Sequence, residues 1–347
     1  MVKYCDNYWQ DVTIVAKQIP NLMELFGRTI FVTGATGMIC SAVVEVLFYL
    51  NREKSANIQI VLAGRNIDHM KKRFYCFEEG KDYSFFQYDA TCTTPQNIKA
   101  DFIIHGASNA DPGKFSKEPV ETMLANIIGL NMLLKSAIDN QTKRVLYISS
   151  SEVYGRKEEM RPYKEEDYGF VDILNPRASY PSSKRAAETL CSAYSAEYGL
   201  DTVIVRPGHI YGPTITDSDS RASAQFTRKA KAGENIIMKS AGIQLRSYCY
   251  TLDCASAILT VLINGKCGEA YNISNSKSIV TIREMAEALA HAGNVEIDFE
   301  NPSDFEQKSY NMMENSSLDS FKLESLGWKA ITNIEQGSSK TIKYYKK

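Results

Sequence analysis

Charge of one sign is missing from this chain of 347 residues. Forty lysines and arginines stand against 41 aspartates and glutamates, a formal net charge of −1. A general attraction to nucleic acid or to an anionic membrane is therefore not expected. Paired cysteines are missing too. The eight cysteines, at positions 5, 40, 76, 92, 191, 249, 254 and 267, contain no C-x-x-C. Several lie in apolar runs, so reduced, buried thiols are expected and no metal site. No long apolar run occurs: Ala42 to Leu50 is far too short to span a bilayer and contains Glu45. The opening MVKYCDNYWQ lacks a basic stretch followed by an apolar one, so no signal peptide and a soluble, cytoplasmic location are expected. Glycine and proline are not in excess, which excludes collagen-like and disordered chains.

What is present is a globular composition, 44% hydrophobic and 23% charged, in a chain long enough for two domains. Arg28–Thr33, Ile58–Ala63, Asp101–His105, Arg144–Ser149 and Thr202–Arg206 read as buried strands. Helical stretches separate them: Ile39, Val43, Val46, Leu47 and Leu50 share one face, as do Ala187, Leu190, Cys191, Tyr194 and Tyr198. The pattern predicts an α/β fold, a doubly wound parallel sheet. After Gly212 the texture changes to loop-rich PTITDSDSRASAQF, and a smaller C-terminal α/β substrate domain is expected over 213–347. The dinucleotide-binding part would span 28–212, with a return to the sheet around 245–265. Residues 1–27 read as a packing arm anchored by Leu22, Leu25 and Phe26. Residues 281–292 read as a helix capped by Thr281 and Glu284.

Two motifs carry chemistry. Thr33-Gly34-Ala35-Thr36-Gly37 joins the first strand to the first helix, where glycines let the backbone approach a pyrophosphate seated on the helix N-terminus. A plain strand-to-helix turn has the same look. The third glycine of the usual pattern is Cys40 here. The second strand ends in LAGRN, with Arg65 and Asn66 in place of an acidic residue, so NAD and NADP both remain open at this point. Further on, Tyr180-Pro181-Ser182-Ser183-Lys184 puts a phenol and an ammonium on one face of a helix start. The ammonium is expected to lower the phenol pKa and make a general base. Ser150, at the end of the fifth strand, could bond the reacting oxygen.

Together, TGATGMIC, the Ser150 region, Tyr180 to Lys184, IIHGAS at 103–108, VYG at 153–155, VRPGHIYGP at 205–213 and LDSFKLESLGWK at 318–329 resemble the extended short-chain dehydrogenase/reductase superfamily. More narrowly, the chain resembles its nucleotide-sugar epimerase/dehydratase branch. The resemblance implies a Rossmann fold, Tyr180 as base, Lys184 as its partner and Ser150 on the sugar 4-hydroxyl. It implies a dinucleotide held by Gly34, Thr36, Gly37, Met38, Ile39, Arg65, Asn66, Asp89, Ala90, His105, Gly106, Ala107 and Pro207. Arg221 and Arg246 match positions that meet phosphate or ribose, and His209 stands where Asn is usual. The triplet Ser150-Ser151-Glu152, with Arg177 ahead of the tyrosine, resembles UDP-glucuronate decarboxylases or GDP-mannose dehydratases. Glucose dehydratases resemble Thr-Asp-Glu at that point. Transient C4 oxidation of a nucleotide sugar, by decarboxylation, 4,6-dehydration or 4-epimerisation in that order, is the expected activity. A homodimer serving polysaccharide precursors is the expected setting; a non-catalytic NAD(P)-sensing protein is the alternative of another class.

Overall fold

The computed structural model describes residues 2–345 apart from 92, 94–96, 218 and 303–312. Cys92 lies outside the described residues. In chain order the strands are β1 (Thr29–Thr33), β2 (Gln59–Gly64), β3 (Ser84–Gln87), β4 (Phe102–His105), β5 (Arg144–Ile148), β6 (Thr202–Pro207), β7 (His209–Tyr211), β8 (Ile236–Met238), β9 (Leu245–Tyr250), β10 (Ala270–Ile273), β11 (Ile279–Thr281), β12 (Ile297–Phe299) and β13 (Asn315–Ser316). Seven of them form one sheet in the order β10-β6-β5-β4-β1-β2-β3. Every neighbouring pair in it is parallel. This is the doubly wound α/β, Rossmann-like fold expected from the sequence. All five expected strands are present, each end within a residue of its expected place. β3 and β10 were not expected, because four-residue edge strands carry too little apolar pattern to stand out.

Among the described residues the helices around the strands are α1 (Asp6–Ala16), α2 (Met38–Lys54), α3 (Ile67–Arg73), α4 (Pro112–Lys117), α5 (Pro119–Leu124), α6 (Leu130–Asp139), α7 (Ser179–Tyr198), α8 (Ala222–Ala232), α9 (Thr251–Asn264) and α10 (Ile282–Gly293). A short helix Phe321–Glu324 and a final one, Ile334–Tyr344, follow. A π-turn, Ala125–Gly129, joins α5 to α6. Thr281 caps α10 through the capping box its sequence suggests.

The order of the strands reverses between β1 and β4, so the crevice beyond their carboxyl ends is where this architecture binds ligands. β7, β11 and β13 all pair with β9 in a smaller sheet, and β8 pairs with β12. The chain rejoins the large sheet at β10, after α9 has packed against α2.

Helix α2 is buried on nearly all sides, because α1 and α9 cover the flank that the sheet leaves open. Its buried carboxylate, Glu45, is wholly enclosed and satisfied. Tyr4 Oη donates to Oε1 at 2.8 Å, Arg73 Nη2 donates to the same oxygen at 2.8 Å, and Tyr8 Oη donates to Oε2. The N-terminal arm is thus fastened to the large sheet's helices by a charged cluster as well as by Leu25.

Candidate active site

The glycine loop sits at the switch point. Gly34 has φ +66°, and a Cβ there would come within 2.7 Å of the Gly106 carbonyl oxygen, so only glycine fits between β1 and β4. Thr33 Oγ1 accepts from the amides of Gly106 and Ala107 at 3.1 Å and lies 2.9 Å from His105 Nδ1. Gly37 is the N-cap of α2 and offers no side-chain cap, leaving the amides of that helix start uncovered. Burial pushes His105 down to about 3, so it is a neutral ring, and its Nε2 has no partner. Met38 is buried under Arg221, whose Nη2 meets its sulfur at 2.8 Å. Thr36 and Ile39 are half-buried beside it, and Pro207 ends β6. Arg65 and Asn66 are exposed at the end of β2, where Asn66 caps α3. Asp89 feels the charge of Arg65, and Ala90 is packed against Gly129.

Tyr180 and Lys184 open α7, one turn apart and both buried. Phe115 of α4 stacks on the Tyr180 ring, centroids 4.2 Å apart and planes within 9°. Lys184 Nζ donates to the Ile148 carbonyl at 2.8 Å and sits 4.7 Å over the Tyr147 ring. The expected lowering of the phenol pKa by Lys184 is not what this arrangement produces. Burial and the Glu152 charge push Tyr180 up to about 12, while Ser150, Arg221 and Arg177 pull the other way. Burial in turn pushes Lys184 down to about 7. For both groups the exclusion of water is the largest effect.

The triplet after β5 forms a short turn, Ser151–Tyr154, whose N-cap is Ser150; its Oγ accepts from the Glu152 amide at 3.2 Å. Arg185, next to the lysine, braces this turn by donating to the carbonyls of Val153, Tyr154 and Gly169. Ser151 is buried in the turn. Glu152 lies in the fork of Arg177, Nη1 to Oε2 and Nη2 to Oε1 both at 3.0 Å.

The other cations differ from one another. Arg221 is engaged by Asp219, Nε to Oδ1 at 3.0 Å. Arg246 is buried on β9, donates to its own neighbour's carbonyl, and has no ion pair among the described residues. His209 lies near both arginines; burial holds it neutral, near 3, and its buried Nδ1 has no partner. The structure therefore gathers Ser150, Ser151, Glu152, Arg177, Tyr180, Lys184, Arg221, Arg246 and His209 around the carboxyl ends of β1, β4, β5 and β6. Sequence reasoning missed Phe115 and Arg185. The Lys-Arg step at 184–185 was a usable signal for the second; a phenylalanine 65 positions before the tyrosine gives none.

A glycine loop at the switch point and a Tyr-Lys pair on the helix after β5 define an enzyme of the dinucleotide-binding short-chain dehydrogenase type. The chain belongs to the NAD dependent epimerase/dehydratase family, which residues 30–274 match. It is 30% identical over 333 residues to UDP-glucuronic acid decarboxylase 1 of Xenopus tropicalis, covering 94% of this chain and 74% of that one. It is 26% identical over 334 residues to dTDP-D-glucose 4,6-dehydratase of Homo sapiens, covering 92% and 91%. Among solved structures it superposes on dTDP-glucose 4,6-dehydratase of Streptomyces venezuelae, solved with NAD bound, with TM-score 0.76 at 22% identity, covering 91% and 96%.

Proposed function

We propose that this enzyme removes C6 of a nucleoside-diphosphate uronic acid, UDP-glucuronate or a close relative, as CO₂. The observation that carries this reading is the condition of the site's carboxylates. Glu152 is held by Arg177, Asp219 by Arg221, and Asp111 by Ser220 and the Gly113 amide. Ser151 occupies the place that resembles the acid of glucose dehydratases. Dehydration needs a proton for a poor leaving hydroxyl. A 4-keto uronate loses CO₂ without one, because the C4 carbonyl accepts the electrons.

The residues around the glycine loop suit NAD. The uncapped start of α2 is an anion site, and the closeness of Gly34 to Gly106 leaves backbone where side chains would obstruct the pyrophosphate. Bound there, NAD would supply a reversible hydride acceptor for C4. The loop residues 34 and 36–39 would hold its pyrophosphate, 65, 66, 89 and 90 its adenosine, and 105–107 and 207 its nicotinamide half. Burial and Glu152 keep the Tyr180 phenol protonated, so it would take the C4 hydroxyl proton only once the positive charge of a bound nicotinamide brings it down; Ser150 holds the same oxygen, and Lys184, anchored on Ile148, fixes the nicotinamide ribose. Arg221, Arg246 and His209 receive the diphosphate; Arg246 is the natural first contact, having no ion pair among the described residues. The enzyme works as a homodimer in the cytoplasm, supplying activated sugars for polysaccharide synthesis.

The test is a side-by-side incubation with NAD and UDP-glucuronate, dTDP-glucose or GDP-mannose, read by mass spectrometry. Loss of CO₂ from the uronate is expected. Steady formation of a 4-keto-6-deoxy sugar, with no CO₂ from any uronate, would overturn the decarboxylase reading in favour of a 4,6-dehydratase. A 4-epimer from a neutral hexose would overturn it in favour of an epimerase.

A further inference from the structure

We infer that Arg177 selects sugars that carry a carboxylate at C6, by exchanging its bond to Glu152 for a bond to the substrate. The inference rests on the uronate reading above and names the residue behind it. Arg177 lies in the short turn Pro176–Ala178 that runs directly into α7, and its amide is held by the Asn175 side chain at 3.0 Å. It therefore sits one turn ahead of Tyr180 on rigid backbone. A sugar whose C4 oxygen meets Tyr180 carries its C6 group only two carbons away.

The guanidinium already grips a carboxylate in the geometry that suits it, both Nη atoms on both Glu152 oxygens. The two side chains are 21% and 19% exposed, so a ligand can reach the pair. One of its other donors, Nε, is buried and has no acceptor. A second carboxylate is the group that would complete it. Arg221 is committed to Asp219, and Arg246 belongs to β9 rather than to the helix start that carries Tyr180. Glu152, once released, still faces the charge of Arg246. A neutral sugar brings no counter-ion and leaves the Glu152–Arg177 pair as it is. Exchange of one carboxylate for another keeps the guanidinium neutralised, so the uronate avoids the cost of an unpaired buried charge.

The exchange makes the two partners act with opposite signs. Both are tested in a Tyr180→Phe background, where the ligands are not consumed, by calorimetric titration with UDP-glucuronate and UDP-glucose. Arg177→Gln should weaken UDP-glucuronate about ten- to hundredfold while moving UDP-glucose less than about threefold. Glu152→Gln, which frees the fork, should tighten UDP-glucuronate and leave UDP-glucose unchanged. Equal losses for both ligands in Arg177→Gln, or weaker uronate binding in Glu152→Gln, would overturn the inference and leave the pair a structural brace. Thermal melts of the variants establish that each is folded. CO₂ release by the unmodified enzyme is read separately. Its absence fails the reaction reading, whereas CO₂ release with unselective losses fails only the role of Arg177.

Discussion

The sulfur of Cys40 occupies the space in front of the Gly106 α-carbon. A Cβ on Gly106 would overlap it, and would also come within 3.2 Å of Ile148 Cδ1. The residue that departs from the usual third glycine is therefore accommodated by a glycine on the neighbouring strand's loop.

Gly106→Ala should destabilise the protein by about 1–3 kcal/mol through overpacking. Restoring the family's glycine, Cys40→Gly, should recover much of that loss in the double variant while costing stability alone. Denaturant midpoints of the four proteins check the coupling, and additive effects would show that the two residues do not share the space.

Removing the phenol oxygen in Tyr180→Phe should leave folding intact and lower turnover by at least about 10²–10⁴-fold, the usual worth of a general base. Lys184→Ala should do similarly and also weaken retention of NAD. Near-normal turnover by Tyr180→Phe on the true substrate would remove it from the mechanism.

Asp253 is buried at the start of α9. It accepts from the Thr332 amide at 2.9 Å, and its second oxygen has no partner. Burial raises its pKa from 3.8 to about 6. The folded state thus binds this proton more tightly than the unfolded one. The stabilisation is complete below about pH 3.8 and is lost as pH rises through about 6. Asp253→Asn keeps an acceptor and removes the charge, so it should gain on the order of 2 kcal/mol over the native protein at pH 7.5. Urea melts at pH 7.5 and pH 5 test this: the gain should be clearly smaller at the lower pH.

Assembly is the last expectation. Of the apolar stripe Met123, Ile127, Leu130 and Leu134, the two leucines turn into the sheet and are wholly buried. Val120, Met123 and Leu124 on α5 remain exposed, at 61%, 37% and 43%. A homodimer that covers them should be seen by light scattering at micromolar concentration, and Val120→Glu with Met123→Glu should convert it to a monomer. A native protein that is already monomeric would contradict the expectation.

Local pattern was enough for the five central strands, the glycine loop, the capped helix α10 and the Tyr-Lys turn. Each is dictated by residues within a few positions of one another: Val/Ile/Leu runs, a helix period, a glycine at positive φ, a side chain on its own helix amide. The order of these motifs along the chain was also enough to place the protein in its branch.

Contacts between distant segments decided the rest. Glu45 looked like an interruption in an apolar run, yet Tyr4, Tyr8 and Arg73, on three other pieces of chain, make it the centre of a buried cluster. The Tyr180 phenol was expected to be lowered by its lysine. Its environment is set instead by Phe115, Glu152 and the exclusion of water, and the balance goes the other way. Glu152 and Arg177 lie 25 positions apart, and nothing in their spacing shows that they share two hydrogen bonds. Burial and long-range pairing depend on which surfaces close over a residue, and only the assembled fold fixes that.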